Sequence, residues 1–205
     1  MVEVLCHSSI KITEDIVVYI DPFKIDKDYH DADYIFFTHS HYDHFSPEDI
    51  EKVKKDNTLF IVTEDIKEKA EKLFHKDNVI AVEPNKSYHI QGLNFKTTYA
   101  YNQNKAFHPK QNKWVGYLID VNHKTYYIAG DTDNIEEIQN IECDEAFIPI
   151  GGTYTMNYQE AGDLANVIKA KKIIPTHYGC IVGDKEDAFK FKELVKNKEV
   201  EILIK

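Results

Sequence analysis

The stretch FFTHSHYDH at residues 36–44 places four side chains that can bind a metal within six consecutive positions. Alternating positions of an extended segment face the same side, so His39 and His41 can converge on one ion. Asp43 and His44, a turn further along, can reach a second ion. An exposed polar loop is the alternative interpretation, but four ligand-type residues directly behind an apolar strand favour a metal site. The stretch therefore predicts half of a dinuclear metal centre.

Two further ligand-type residues also follow apolar strands. The turn GDTD at residues 130–133 comes directly after the apolar run 126–129, and a carboxylate at a strand end, Asp131, is suited to bridge two cations. We interpret its neighbour Asp133 as a solvated turn acid. In the same way His177 follows the apolar strand that ends in IIPT. Each residue alone would be structural more often than functional, but three strands that end in metal ligands predict a shared site on loops.

Composition limits the class of protein. The chain has 205 residues, of which 42% are hydrophobic, and this length predicts one globular domain spanning residues 1–205. The formal net charge is −10 and all 25 basic residues are lysine, so a polyanion would meet net repulsion without any arginine to offset it. We therefore expect a small-molecule substrate rather than a nucleic acid, and leave a homo-oligomer open.

Cysteine usage and hydropathy indicate the compartment. Cys6, Cys143 and Cys180 lie far apart with no CxxC pair, so we expect them to be reduced and mostly buried. The first residues lack a basic segment followed by a long apolar one, and no later run approaches the length of a membrane span. The prediction is a cytoplasmic protein that does not bind a membrane.

The order of predicted elements favours two sheets with helices outside them. Tight turns at residues 91–92 and 122–123 predict hairpins, and the polar loop 101–113 is long enough to be functional. Helices are predicted at residues 47–55, 64–74, 158–170 and 185–196. Strands are predicted at residues 2–6, 16–20, 34–37, 58–62, 79–82, 87–90, 93–98, 115–121, 124–129, 145–148, 172–175 and 200–204.

In the HxHxDH order of these ligands, followed by Asp131 and His177, the chain resembles the metallo-β-lactamase superfamily. Within it the chain is similar to the small metal-dependent hydrolases related to ascorbate-6-phosphate lactonase and, more distantly, to N-acyl-phosphatidylethanolamine phospholipase D. The supporting stretches are HSS at 7–9, DPF at 21–23, AYN at 100–102, WVGY at 114–117, PIGGTYTM at 149–156 and THYG at 176–179.

The resemblance implies an α/β fold, the αββα four-layer sandwich, and a hydrolase with two divalent metal ions and no organic cofactor. The implied ligands are His39, His41 and His108 for one ion and Asp43, His44 and His177 for the other, with Asp131 bridging. Asp43, Asp131 and His177 are the implied catalytic residues. A water shared by the ions would lose a proton near neutral pH and open an ester-like bond, a lactone or a phosphodiester, in a small anionic substrate. Zinc is expected first, with manganese and iron as alternatives.

One ligand departs from the family pattern. Where the phospholipase-like members carry the histidine of an AxH segment, this chain has Asn102, and a histidine returns only at position 108. Either His108 completes the first metal site, which we favour, or Asn102 or water fills the gap. A non-hydrolytic metal-binding or redox protein of the same fold is the alternative to a hydrolase.

Other residues are assigned to the surroundings of the metals or to substrate. His7 is expected near the metals or the substrate, and Asp21 is expected to orient a ligand histidine. Tyr154 is a candidate for substrate contact. Since the chain has no arginine, Lys110, with Lys105 beside it in the long loop, is predicted to bind an anionic group.

Overall fold

The computed structural model describes residues 1–204. They form two compact units, residues 1–83 and 84–204. Each unit contains one β-sheet and two α-helices. The assignment of the whole chain to one domain stays a prediction.

The sheet of the first unit has six strands in the order β1-β2-β3-β4-β5-β6. β2 runs antiparallel to both of its neighbours, β1 and β3. β3, β4, β5 and β6 run parallel to one another. The elements are β1 Val2–Cys6, β2 Ser9–Thr13, β3 Val17–Ile20, β4 Ala32–Phe36, α1 Pro47–Val53, β5 Lys54–Thr63, α2 Glu64–Leu73 and β6 Val79–Val82. Because parallel neighbours end at the same edge, the residues that follow β3 and β4 are brought together.

The sheet of the second unit has seven strands in the order β13-β12-β11-β10-β9-β8-β7. β7 to β10 form an antiparallel meander, and β10 to β13 are parallel. The elements are β7 Ser87–Ile90, β8 Leu93–Tyr99, β9 Val115–Val121, β10 Lys124–Ile128, β11 Glu142–Pro149, α3 Tyr158–Val167, β12 Lys169–Thr176, α4 Lys185–Leu194 and β13 Glu199–Val200.

The local signals in the sequence explain the ends of these elements. Ser46 caps α1 by accepting from the backbone N–H of Asp49, and Asn157 caps α3 in a reciprocal capping box with Glu160. Both predicted hairpins are confirmed. In the second one, Asn122 and His123 have φ values of 49° and 61°, as a type I′ turn requires.

The structure departs from the predicted elements most clearly at one missed strand and one shortened strand. Strand β2 was not predicted, although Ile10 and Ile12 alternate with polar residues in it. The strand predicted at residues 200–204 is reduced to Glu199–Val200. The second difference concerns an edge strand, where few backbone partners are available to extend the ladder.

Each unit has its own apolar core. In the first unit the core lies around Phe37, Phe45 and Phe60, and in the second around Tyr127, Leu164 and Phe191. No helix within residues 1–204 is long and apolar enough to cross a membrane. The predicted fold class is confirmed as mixed α/β with two sheets and four helices.

Candidate functional site

In the first unit, the ligand-type residues lie on the loop between β4 and α1. The backbone N–H groups of His44 and Phe45 both donate to the carbonyl of His41, at 3.0 and 2.8 Å. This turn reverses the chain and directs several imidazole and carboxylate groups to one side. Together with His7, which lies between β1 and β2, they form what we call the first ligand set: His7, His39, His41, Asp43 and His44. His41 is half-buried and the others are buried.

The ligand atoms of this set lie close together. Nε2 of His39 is 3.0 Å from Nδ1 of His41. The ligand atoms of His7, Asp43 and His44 all lie within 4.8 Å of one another, and His7 Nε2 is 3.3 Å from Asp43 Oδ2. The structure therefore groups His7, expected near the metals or the substrate, with two predicted ligands.

Asp21, which was expected to orient a ligand histidine, lies against His44. It follows β3, whose parallel neighbour β4 leads into the ligand loop. Its carboxylate accepts from the backbone N–H of Thr38 at 2.9 Å, from the Thr38 hydroxyl at 2.6 Å and from His44 Nδ1 at 2.7 Å. Complete burial raises the pKa of Asp21, and the contacts with His44 and Thr38 oppose this rise. With its Nδ1–H donating a hydrogen bond to Asp21, His44 keeps the Nε2 lone pair for a metal.

Thr38 is a functional residue that the sequence analysis missed. Its hydroxyl has one proton, which it donates to Asp21, so toward His39 Nδ1 at 2.9 Å it can only accept. His39 thus carries its proton on Nδ1 and its lone pair on Nε2. The only signal in the sequence was the position of this threonine directly before the HxHxDH motif.

In the second unit, parallel strands bring Asp131 and His177 together. Asp131 follows β10 and His177 follows β12, with β11 between these strands and parallel to both. His177 Nε2 lies 3.0 Å from Asp131 Oδ2. His108 Nε2 approaches the same oxygen at 3.2 Å. We call His108, Asp131 and His177 the second ligand set; all three side chains are at most 3% exposed.

The structure also shows how His108 and Asn102 relate to each other. Nδ1 of His108 lies 3.1 Å from the side-chain oxygen of Asn102, while its Nε2 faces Asp131. The ring of Trp114 packs edge-on against the imidazole at 5.4 Å. This geometry favours His108 over Asn102 as the ligand, and metal binding by His108 stays a prediction.

Residues with positive φ occur at both ligand sets as well as in turns elsewhere in the described chain. His7, Asp21 and His177 are in the left-handed region, with φ values of 57°, 48° and 58°. Such a conformation costs a residue other than glycine on the order of 1–3 kcal/mol and is concentrated at functional sites. The sequence contains no pattern that would have predicted it.

The interpretation of Asp133 as a solvated turn acid was wrong. Asp133 is 9% exposed, and its carboxylate accepts from Asn102 Nδ2, from the backbone N–H of Gln103 and from Lys105 Nζ, at 3.0, 2.8 and 2.7 Å. The long loop folds over the turn and supplies these donors. Asp133 is therefore part of the support of the second ligand set.

Lys105 and Lys110, two lysines of the long loop, have acidic partners. Lys105 pairs with Asp133, and Lys110 Nζ lies 2.6 Å from Glu137 Oε1 and 4.6 Å from the ring centre of Tyr101. The predicted anion-binding role of Lys110 is untested, and this pairing weighs against it. Tyr154, the candidate for substrate contact, packs its ring edge-on against Phe107 at 4.7 Å.

The donor chemistry of each set fits a divalent metal. Each set combines imidazole nitrogen with carboxylate oxygen in mostly buried positions, and neither set contains a thiolate. Zinc, manganese and iron all accept this combination of donors. In the first set, Asp21 and Thr38 orient two imidazoles so that Nε2 keeps a lone pair. Partners that orient ligand histidines in this way are usual at metal sites.

Comparison with known proteins identifies the family. The model of the β-lactamase superfamily domain matches residues 2–177. A UPF0173 metal-dependent hydrolase of Nanoarchaeum equitans is 31% identical, covering 97% of this chain and 93% of the relative. Another, from Thermoplasma volcanium, is 30% identical over 92% of this chain and 87% of the relative.

A solved structure supports the fold. The crystal structure of a protein from Parabacteroides distasonis superposes with a TM-score of 0.83 at 26% identity, covering 98% of this chain and 91% of the other. The closer resemblance to lactonases and to the phospholipase stays a prediction. The motif, the ligand chemistry and these comparisons together show that the chain belongs to the UPF0173 metal-dependent hydrolases of the β-lactamase superfamily.

Proposed function

We propose that the chain is a hydrolase that uses two divalent metal ions to open an ester-like bond, a lactone or a phosphodiester, in a small-molecule substrate. Family membership supports the reaction class, since the relatives reported above are named metal-dependent hydrolases. The donor atoms suit zinc, manganese or iron alike, and the resemblance to the superfamily favours zinc first. Three widely spaced cysteines support a cytoplasmic location.

One observation carries the proposal: a single oxygen of Asp131 is flanked by two imidazole nitrogens. Nε2 of His108 and Nε2 of His177 lie 3.2 and 3.0 Å from Asp131 Oδ2. In our assignment these histidines belong to different ions. A carboxylate oxygen flanked by one ligand of each ion is suited to bridge the pair.

The proposed assignment uses both ligand sets. One ion would be held by His39, His41 and His108, and the other by Asp43, His44 and His177, with Asp131 shared. The family's motif supports an assignment in which both sets bind the same two ions, because its ligands belong to both sets.

The ions, when bound, supply an activated water and a Lewis acid for attack at carbonyl carbon or phosphorus. The protein holds the ligands in place. Asp21 and Thr38 fix the proton on Nδ1 of His44 and His39, so that these rings do not have to reorient to bind. Such prior ordering of groups lowers the cost of reaching a productive geometry.

The test begins with metal content. Elemental analysis of the protein purified without chelators should find close to two divalent ions per chain, and Asp131→Ala should lose both. The exposed Asp163 provides the control, because Asp163→Ala should keep both ions. A metal-free protein that hydrolyses its substrates in the presence of chelators would contradict the proposal.

A double variant tests whether the two sets serve the same ions. His44→Ala and His177→Ala should each leave about one ion per chain, and the double variant should also leave about one, because both residues are assigned to the same ion. If each set bound its own ion, the double variant would lose both. Turnover is then measured on a panel of lactones, esters and phosphodiesters, and inactivity of the metal-loaded protein on all of them would overturn the hydrolase assignment.

A further inference from the structure

The side-chain amide of Asn102 has an orientation that its neighbours determine. Its Oδ1 accepts from the backbone N–H of His108 at 3.1 Å. Its Nδ2 donates to the backbone carbonyl of Tyr154 and to Asp133 Oδ1, both at 3.0 Å. A backbone N–H can only donate, and a carbonyl or carboxylate oxygen can only accept. The reversed amide would set like against like at all three contacts, so Oδ1 must face His108.

This orientation determines which nitrogen of His108 carries a proton. Oδ1 of Asn102 also lies 3.1 Å from His108 Nδ1, and an amide oxygen has no proton to give. The contact is a hydrogen bond only when Nδ1 is protonated. Nε2 then offers its lone pair on the side of Asp131, 3.2 Å away, which is the form that a metal ligand needs.

A competing interaction makes Asn102 necessary. The carboxylate of Asp131 is a stronger acceptor than an amide oxygen, and alone it would draw the proton to the Nε2 of His108 that faces it. An imidazole protonated on Nε2 cannot bind a metal through that atom. The Asn102 oxygen opposes this form, because it would then face the bare lone pair of Nδ1.

The surroundings hold Asn102 in place. Its backbone N–H donates to the carbonyl of His108 at 2.7 Å, which closes the loop of five residues between them. Asp133, which anchors Nδ2, is itself held by Lys105 at 2.7 Å. Asn102 and His108 are 6% and 1% exposed. Rotation of the amide away from His108 would leave several buried polar groups without their partners, at about 1–3 kcal/mol for each group.

We propose that Asn102 is a positioning residue that holds His108 with its proton on Nδ1 and thereby prepares Nε2 to bind one of the two ions. Asn102 thus stands beside the ligand rather than in place of it. The inference rests on the proposed function only where it takes His108 as a ligand.

The direct test is nitrogen NMR of the metal-free protein labelled with ¹⁵N-histidine, with the His108 signals identified by their loss in His108→Ala. The wild-type protein should carry a proton on His108 Nδ1. Asn102→Leu removes the acceptor at similar volume and should shift the proton to Nε2. A wild-type protein with a bare Nδ1 would overturn the inference without any variant.

Zinc affinity is the second measurement, made by competition with a chelator. Asn102→Leu should weaken one of the two ions by about 10- to 100-fold, as is usual for the loss of a partner that orients a ligand. Gln103→Leu is the matched control, because Gln103 is exposed and adjacent, and it should bind zinc like the wild type. An Asn102→Leu protein with wild-type affinity and a protonated Nδ1 would overturn the inference.

The two proposals fail in different ways. If His108→Ala keeps both ions, His108 is not a ligand and the proposed metal assignment fails, whatever the NMR result. If His108→Ala loses one ion but Asn102→Leu changes neither the proton position nor the affinity, His108 is a ligand that Asn102 does not position.

Discussion

His44 Nδ1 lies 2.7 Å from Asp21 Oδ2, with the two side chains 0% and 1% exposed. The residues are 23 positions apart in sequence and meet because β3 and β4 are parallel neighbours. Within this contact the carboxylate accepts a hydrogen bond from His44 Nδ1–H, and it also accepts two hydrogen bonds from Thr38. Asp21 therefore controls the orientation of one predicted ligand directly and of another, His39, through the Thr38 hydroxyl.

Replacement of Asp21 should weaken metal binding without removing a ligand. We expect Asp21→Ala to lower zinc affinity by about 10- to 100-fold, because His44 and Thr38 lose their common acceptor. Competition with a chelator measures the change. The exposed Asp15 is the control, and Asp15→Ala should behave like the wild type; equal affinities in both variants would contradict the role of Asp21.

Gly151 should tolerate no side chain, because it lies against His177. A Cβ atom at this position would overlap the His177 carbonyl oxygen and lie 2.8 Å from His177 Nδ1. We expect Gly151→Ala to lower the free energy of unfolding by about 1–3 kcal/mol and to reduce metal content by displacing His177. Denaturant unfolding and elemental analysis measure the two effects.

Gly92→Ala separates the loss of metal from a general loss of stability. A Cβ at Gly92 would meet nothing within 4 Å, but its φ of +91° strains any other residue. This variant should lose stability and keep its metal. A Gly151→Ala protein with full metal content would show that His177 can shift freely.

Asp133 should matter for stability as well as for the site. Asp133→Ala removes the acceptor of three hydrogen bonds from Asn102, Gln103 and Lys105. We expect a loss of about 1–3 kcal/mol in the free energy of unfolding, since buried donors are left without an acceptor. Urea unfolding of the metal-free protein measures this loss apart from metal binding. Stability equal to that of Asp163→Ala would show that Asp133 is dispensable.

The three cysteines should differ in reactivity. Burial raises the pKa of Cys143 to about 12, so at pH 8 only about one thiol in ten thousand is a thiolate, the reactive form. Cys6 and Cys180 are half-buried, which corrects the expectation that most of the cysteines are buried. Mass spectrometry during alkylation with iodoacetamide should show Cys143 modified last, and equal rates at all three thiols would contradict the burial argument.

The sequence alone determined the features that depend on near neighbours in the chain. The hairpin at Asn122 and His123 follows from two residues that tolerate positive φ, and the start of α3 follows from the cap Asn157. The HxHxDH motif likewise predicted a ligand loop behind a strand, because its spacing in an extended segment is enough to direct side chains to one side.

The tertiary structure decided which partner each of these groups meets. Thr38 between Asp21 and His39, Asp133 beneath the long loop and Lys110 against Glu137 were not predicted. Each contact except the one between Thr38 and its neighbour His39 joins residues 17 to 30 positions apart. The order of strands in the sheets and the path of the loop between β8 and β9 bring them together.

Asn102 shows the difference most clearly: the sequence presents it as a missing histidine, whereas the fold turns its oxygen toward His108. Hydrogen bonding acts over about 3 Å, so the identity of a buried group's partner is set only when the packed chain has brought distant segments within that distance.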